Sequence, residues 1–312
     1  MPGLIAFIFP GQGSQKVGMG QALAGAFPEA RAIFDEADAA LPGLSRLIFE
    51  GPEGELTLTE NTQPAILAAS VATLAVLRSR GIEPSFVAGH SLGEYSANVA
   101  AGTMRFTDAL RLVRRRGQYM QEAVPVGHGA MAAIVGLEAD LVRQACDEAA
   151  QGEVVSPANI NGGRQVVIAG AAAAVQRACE RAKALGAKHA IPLPVSAPFH
   201  CALMKPAEAR LAPELRALRT EDPRVPVVAN VDAQPKRDAR SAIEALVQQV
   251  SAPVRWEEVV LRLASEGVTT YVEVGPGTVL SGLVRKIHQP ATVVNVATPE
   301  GLAAVEVVAR SL

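Results

Sequence analysis

Little in this chain invites a specialised reading. Aromatic residues make up only 4% of its 312 positions and charged residues only 19%. Cysteine occurs three times, at Cys146, Cys179 and Cys201, and no two of these form a C-x-x-C pair. That excludes a disulfide framework and a cysteine zinc site, and it suits a reducing, cytoplasmic setting. No apolar run approaches the roughly 18 residues that a membrane span needs. The opening stretch, MPGLIAFIFPGQGSQ, lacks the positive n-region and long apolar h-region of a secretory leader, so its short apolar run predicts a first buried strand. The formal net charge is −2, without the basic excess that marks proteins built to bind nucleic acid. Apolar residues are plentiful at 49%, enough for a sizeable core.

The order of elements predicts an α/β protein. LIAFIF (4–9) reads as a strand stopped by Pro10, followed by the glycine-rich GQGSQ. Residues 63–80 read as a helix ended by Gly81, residues 85–102 as strand, sharp turn and helix, and residues 105–123 as a further helix. Alternating strand and helix is the pattern of a mostly parallel sheet. Residues 129–195 have their own rhythm, β-α-β-β-α-β, which is the ferredoxin-like order. VPVVANV (225–231) and VTTYVEVG (268–275) then predict further strands of the large sheet. The expected division is a large domain of residues 1–126 and 197–312 with a small domain, 127–196, inserted in it.

Three features carry chemistry. GHSLG (89–93) matches G-x-S-x-G between a strand-like and a helix-like segment, so Ser91 is a candidate nucleophile on a tight turn. The plainer reading is a strand–helix turn with a capping serine. A serine needs a base. Of the five histidines, His200 is the strongest candidate, because Pro194 and Pro198 place it in a stiff, non-helical stretch where the small domain returns to the large one. Cys201 beside it reads as a small buried residue.

The third feature is RLVRRRGQYM (111–120). On a helix advancing about 100° per residue, Ala109, Leu112, Val113, Gly117 and Met120 share one stripe. Arg111, Arg114 and Arg115 fall on the opposite face and read as a solvated surface or a handle for an acidic partner. Arg116 falls inside the apolar stripe. A buried guanidinium needs an anion, either a core Asp or Glu or the carboxylate of a substrate.

At this point the chain resembles the malonyl-coenzyme A:acyl-carrier-protein transacylases of fatty acid synthesis and the related acyltransferase domains of polyketide synthases. The resemblance rests on FPGQGSQ (9–15), TQPAI (62–66), GHSLGEY (89–95), RRGQYMQEAVP (115–125), ANINGGRQVVIAG (158–170), SAPFHCALM (196–204), PVRW (253–256) and EVGPGTVLSGL (273–283), in family order. It implies an α/β-hydrolase-like large domain with an inserted ferredoxin-like small domain. It implies that Ser91 accepts the acyl group, that His200 is the base, and that Gln249 orients His200 through its backbone carbonyl in place of an acidic triad member. Gln12 and Leu92 would supply the N–H groups of an oxyanion hole. Arg116 would bind the malonyl carboxylate, and Gln63 and Met120 would line the acyl pocket. Phe199 stands where many bacterial members carry serine, which resembles malonyl-selective polyketide domains and narrows the room for an α-methyl branch. The implied partners are malonyl-CoA and an acyl carrier protein, with no metal or cofactor, no membrane and no nucleic acid, and a monomer as the default. A free-standing polyketide or malonate-decarboxylase acyltransferase is the nearby alternative. From other classes come a serine esterase or thioesterase, and a non-catalytic carrier-protein docking module using Arg111, Arg114 and Arg115.

Overall fold

The computed structural model describes residues 3–195 and 197–310. Ser196, the last residue of the expected small domain, lies outside the described residues, as do residues 1, 2, 311 and 312. Among the described residues ten strands follow in chain order: β1 (Leu4–Phe9), β2 (Phe86–Gly89), β3 (Gly129–Val135), β4 (Val155–Gly162), β5 (Gln165–Ala171), β6 (His189–Pro192), β7 (Val227–Val228), β8 (Pro235–Lys236), β9 (Val268–Val274) and β10 (Thr292–Val296). They form two sheets.

The six-stranded sheet has the order β10-β9-β1-β2-β7-β8. All its pairings are parallel except the last, where β8 turns back on β7. Alternation along β1 decides the two cores. Phe7 and Phe9 pack with the helices Thr59–Ser79, Leu92–Ala101 and Phe106–Glu122 on one face, while Ala6 and Ile8 pack with Trp256, Val260 and Leu283 on the other. Strands buried on both faces read as continuous apolar runs, which is why LIAFIF was legible as a strand.

The four-stranded sheet is antiparallel, with the order β4-β5-β3-β6. Two helices, Ala139–Ala150 and Ala172–Ala184, pack on it around Ile134, Val142 and Ile168. This is the βαββαβ arrangement expected from residues 129–195. The smaller sheet is bridged to the segment before the helix Trp256–Ser265: Ile160 N–H donates to the Val254 carbonyl and Val254 N–H to that of Ala158, both at 2.8 Å. The α/β class with a mostly parallel sheet agrees with the expectation.

Local differences have physical causes. The helix expected at 63–80 spans Thr59–Ser79, with Pro64 inside its second turn. The strand expected at 225–231 shrinks to β7 because the chain turns at Ala229 and gives Asn230 to other partners. The strand expected at 189–195 ends at Pro192, since Pro192 and Pro194 have no N–H to continue a ladder. Among the described residues no helix is long and apolar enough to cross a membrane.

Candidate active site

The G-x-S-x-G turn owes its shape to close backbone approach. A Cβ on Gly89 would lie 2.0 Å from the Gly93 carbonyl carbon, and one on Gly93 would lie 2.0 Å from the Phe9 carbonyl oxygen. Only glycine lets β1, β2 and the following helix crowd together here. The turn places Ser91 at φ 51° and ψ −107°, left-handed for a residue with a side chain. Asn230, just past β7, holds it there: its Oδ1 accepts from Ser91 N–H at 2.8 Å and its Nδ2 donates to the Gly89 carbonyl at 2.7 Å. Leu92 opens the helix Leu92–Ala101, so its N–H is one of the first-turn donors that have no partner within the helix.

His200 comes from the stretch after β6 and is also held at positive φ, 60°. It is 4% exposed, with its Nε2 2.7 Å from Ser91 Oγ and its Nδ1 2.9 Å from the Gln249 carbonyl. A carbonyl only accepts, so Nδ1 carries the proton and the Nε2 lone pair faces the serine hydroxyl. Burial, reinforced by the nearby charge of Arg116, pushes His200 down to about 3 against the hydrogen bond it donates to the Gln249 carbonyl. The imidazole is therefore neutral across the physiological range, as a general base must be.

Arg116 is 1% exposed, in the apolar stripe of Phe106–Glu122 where helical phase put it. That helix comes backbone-close to Thr59–Ser79 at Gly117, whose absent Cβ would lie 2.7 Å from the Cα of Glu60. The approach brings Arg116 Nη1 to Gln63 Oε1 at 2.8 Å. Nη2 donates to Gln249 Oε1 at 2.9 Å and to Ser91 Oγ at 3.1 Å. Because the guanidinium can only donate, Ser91 must send its own proton toward His200. No carboxylate among the described residues pairs with Arg116. The guanidinium also stacks over Tyr95, 5.2 Å from its ring centre.

These groups meet at a cleft of about 370 Å³ that Gln12, Gln63, Ser91, Arg116, Met120, Phe199 and His200 line. Met131, Asn159 and Leu193, from the smaller sheet and its exit, close the other side. Gln12 Nε2 reaches Thr59 Oγ1 at 3.3 Å, and Gln63 Nε2 reaches Met120 Sδ at 4.0 Å. Leu92 and Gln249 are buried outside that lining, and Gln249 reaches the site from its own helix, Ala239–Gln249. His90 turns away from Ser91, its Nε2 2.9 Å from Asn161 Oδ1, and His288 sits against Tyr271. Burial raises the Cys201 thiol to about 11, too high for a nucleophile at neutral pH. On the outer helix face, Arg111 and Arg115 are exposed and partly neutralised by Asp108 and Glu214.

Sequence reasoning missed two buried groups, Glu94 and Asn230. Glu94 Oε2 accepts from Gln249 Nε2 at 2.8 Å and from Asn230 N–H at 3.0 Å. Both positions sit inside stretches that read as plain helix and plain strand. The available signal was the one charged residue on an otherwise uncharged helix, LGEYSANVAA.

The displaced titration of His200 has a measurable consequence. Its pKa is depressed in the folded protein, so its contribution is full above about 6.5 and is lost as pH falls toward about 3. Between pH 7 and 4 the wild-type protein should lose more stability than His200→Gln, by a few kcal/mol. Denaturant unfolding of both proteins over that range checks it; parallel pH curves would mean that His200 titrates normally.

The family model for the acyl transferase domain matches residues 6–305. The malonyl CoA-acyl carrier protein transacylase of Bacillus subtilis is 51% identical over 95% of this chain and 94% of its own length. A solved acyl carrier protein S-malonyltransferase from Vibrio cholerae is 49% identical, with a TM-score of 0.95 over 96% of this chain and 99% of that one. A malonyl-transacylase solved in complex with its type II polyketide acyl-carrier protein is also 49% identical, with a TM-score of 0.94 over 96% and 98%. The chain thus belongs to the acyl transferase domain family.

Proposed function

We propose that this protein transfers a malonyl group from malonyl-CoA to the phosphopantetheine thiol of an acyl carrier protein, by way of a malonyl ester on Ser91. The observation that carries this reading is the position of Arg116. In malonyl thioesters a single methylene separates the carboxylate from the reacting carbonyl, so a receptor for that carboxylate must sit beside the nucleophile. Arg116 Nη2 is 3.1 Å from Ser91 Oγ, and among the described residues no carboxylate pairs with Arg116. The names of the relatives, and the carrier-protein complex among them, support the same donor and acceptor.

The steps follow from the groups present. His200 Nε2 takes the hydroxyl proton as Ser91 Oγ bonds to the thioester carbonyl carbon. The oxyanion is received by the N–H groups of Gln12 and Leu92. The C–S bond then breaks, the thiolate of coenzyme A takes the proton back from His200, and the malonyl ester remains. In the second half the carrier thiol loses its proton to His200, attacks the ester carbonyl, and Ser91 leaves with that proton. The Gln249 carbonyl supports the imidazolium in both halves, in the place an aspartate holds in other serine enzymes. Each step uses residues of the chain, and coenzyme A enters as part of the substrate.

We assign residues 1–126 and 197–312 to a hydrolase-like catalytic domain and 127–196 to a smaller domain, with the cleft between them. Three unpaired cysteines suit the cytoplasm. The deciding experiment offers the purified protein malonyl-CoA with and without a holo acyl carrier protein. Malonyl carrier protein should form much faster than free malonate; acceptor-independent release of malonate would instead indicate an esterase.

A further inference from the structure

Two opposite charges are buried in this site without a direct ionic partner among the described residues. Among the described residues Arg116 donates to Gln63, Gln249 and Ser91, and its Nε has no hydrogen-bond partner there. Glu94, 1% exposed, accepts, among the described residues, from Gln249 Nε2 and the Asn230 N–H. One amide lies between them. The Gln249 side chain gives its NH₂ to Glu94 and offers its oxygen to Arg116. A flipped amide would set oxygen against carboxylate and NH₂ against guanidinium, so the two charges together fix its orientation. The same NH₂ donates to the Ser91 carbonyl at 2.9 Å, and the same residue's backbone carbonyl receives His200 Nδ1.

We infer that Glu94 is the counter-charge of Arg116 in the empty site, relayed through the Gln249 amide, and that it is a positioning residue which sets how strongly Arg116 takes a substrate carboxylate. Unpaired buried charge is expensive, and a relayed carboxylate lowers that cost without occupying the guanidinium prongs that the substrate needs. Burial works against the charged form of Arg116 and lowers its pKa; Tyr95 and, to a smaller degree, the charge of Glu94 oppose that shift. When a substrate carboxylate arrives, Arg116 faces two anions, and Glu94 is the one able to take up a proton. Burial already raises Glu94 to about 7. By linkage, each anion weakens the hold of the other. The other charged groups that bear on Glu94 are Asp232 and Lys236, from the β7–β8 turn and β8, which act in opposite senses. His200 is neutral and Tyr95 uncharged throughout the range used below.

The inference rests on the proposed role of Arg116, and the experiment separates the two. Malonyl-CoA and acetyl-CoA affinities are measured by calorimetry on Ser91→Ala protein, which cannot turn over, at pH 6 and pH 8, with and without Glu94→Gln. Glutamine can keep an acceptor for both hydrogen bonds but carries no charge. At pH 8 the Glu94→Gln change should improve the malonyl/acetyl affinity ratio, on the order of threefold to tenfold for a relayed pair. At pH 6, where Glu94 is mostly protonated, the change should have little effect. A merely structural role would not depend on pH. If Ser91→Ala protein prefers malonyl-CoA but Glu94→Gln leaves the ratio unchanged at pH 8, the relay is wrong. If there is no malonyl preference at all, the role given to Arg116 fails instead. A stability cycle of Glu94→Gln and Arg116→Met at pH 8 then decides the relay without ligand: coupled effects support it, and additive ones overturn it.

Discussion

Replacing Ser91 with alanine should erase the malonyl adduct from the intact-protein mass spectrum and lower transfer by about 10⁴-fold or more. The size follows from the geometry. Ser91 Oγ is the group that faces the unprotonated nitrogen of His200 while a cationic donor, Arg116, lies on its other side. Alanine leaves the cleft, the carboxylate receptor and the oxyanion donors in place, so binding of malonyl-CoA should survive the loss of turnover. His200→Ala should cost a comparable factor, and the double variant little more than either alone, because nucleophile and base act as one unit. The fold should hardly notice, since the serine oxygen contributes modest hydrogen bonds and the N–H held by Asn230 remains. A malonyl adduct persisting on Ser91→Ala protein would place the ester elsewhere and overturn the mechanism.

The parts of this site that could be read from sequence are those set by local rules. Ser91 lies on a tight turn whose glycines are demanded by contacts near 2 Å, and such a turn leaves a short-range pattern. Arg116 could be placed in the interior because helical phase is a local property, and it lies 1% exposed in the predicted stripe. His200 was singled out by Pro194 and Pro198 before it and by its place where the small domain returns to the large one. Gln249 carried no signal of its own: its carbonyl matters because a helix happens to end beside His200, and only the resemblance to a known family pointed there. Asn230 was hidden for the same reason, and Glu94 showed only as a lone charge in its helix, with no pointer to its partners. They join residues 136 apart, and nothing within either segment marks that pairing. The edge strand β10 leaves little trace, because TVVNV is short and its adjacent Val293 and Val294 break the apolar–polar alternation. Local stereochemistry leaves traces in sequence, whereas hydrogen bonds between distant segments leave them only when one partner is an odd residue in its own element.

Arg116→Ala should change which thioester the protein accepts more than whether it folds. Malonyl transfer should fall on the order of 10²-fold or more, as expected when a desolvated charge pair with substrate is lost. Acetyl transfer should fall far less or rise, since acetyl has no carboxylate and its binding leaves the wild-type guanidinium without an anion in a closed cleft. The ratio of kcat/KM values for malonyl-CoA and acetyl-CoA is therefore the quantity to measure, because any general loss of activity from the vacated space cancels in it. Lysine at the same position tests the geometry separately from the charge. The guanidinium reaches Gln63 Oε1, Gln249 Oε1 and Ser91 Oγ at once, at 2.8, 2.9 and 3.1 Å, from a planar fork. An ammonium is a point charge that cannot hold that arrangement and also present two parallel donors to a carboxylate. Arg116→Lys should accordingly recover only part of the malonyl preference, falling between alanine and arginine. An alanine variant that kept the wild-type ratio would show that the buried cation is structural, and selectivity for the free carboxylate would then have to come from elsewhere in the cleft.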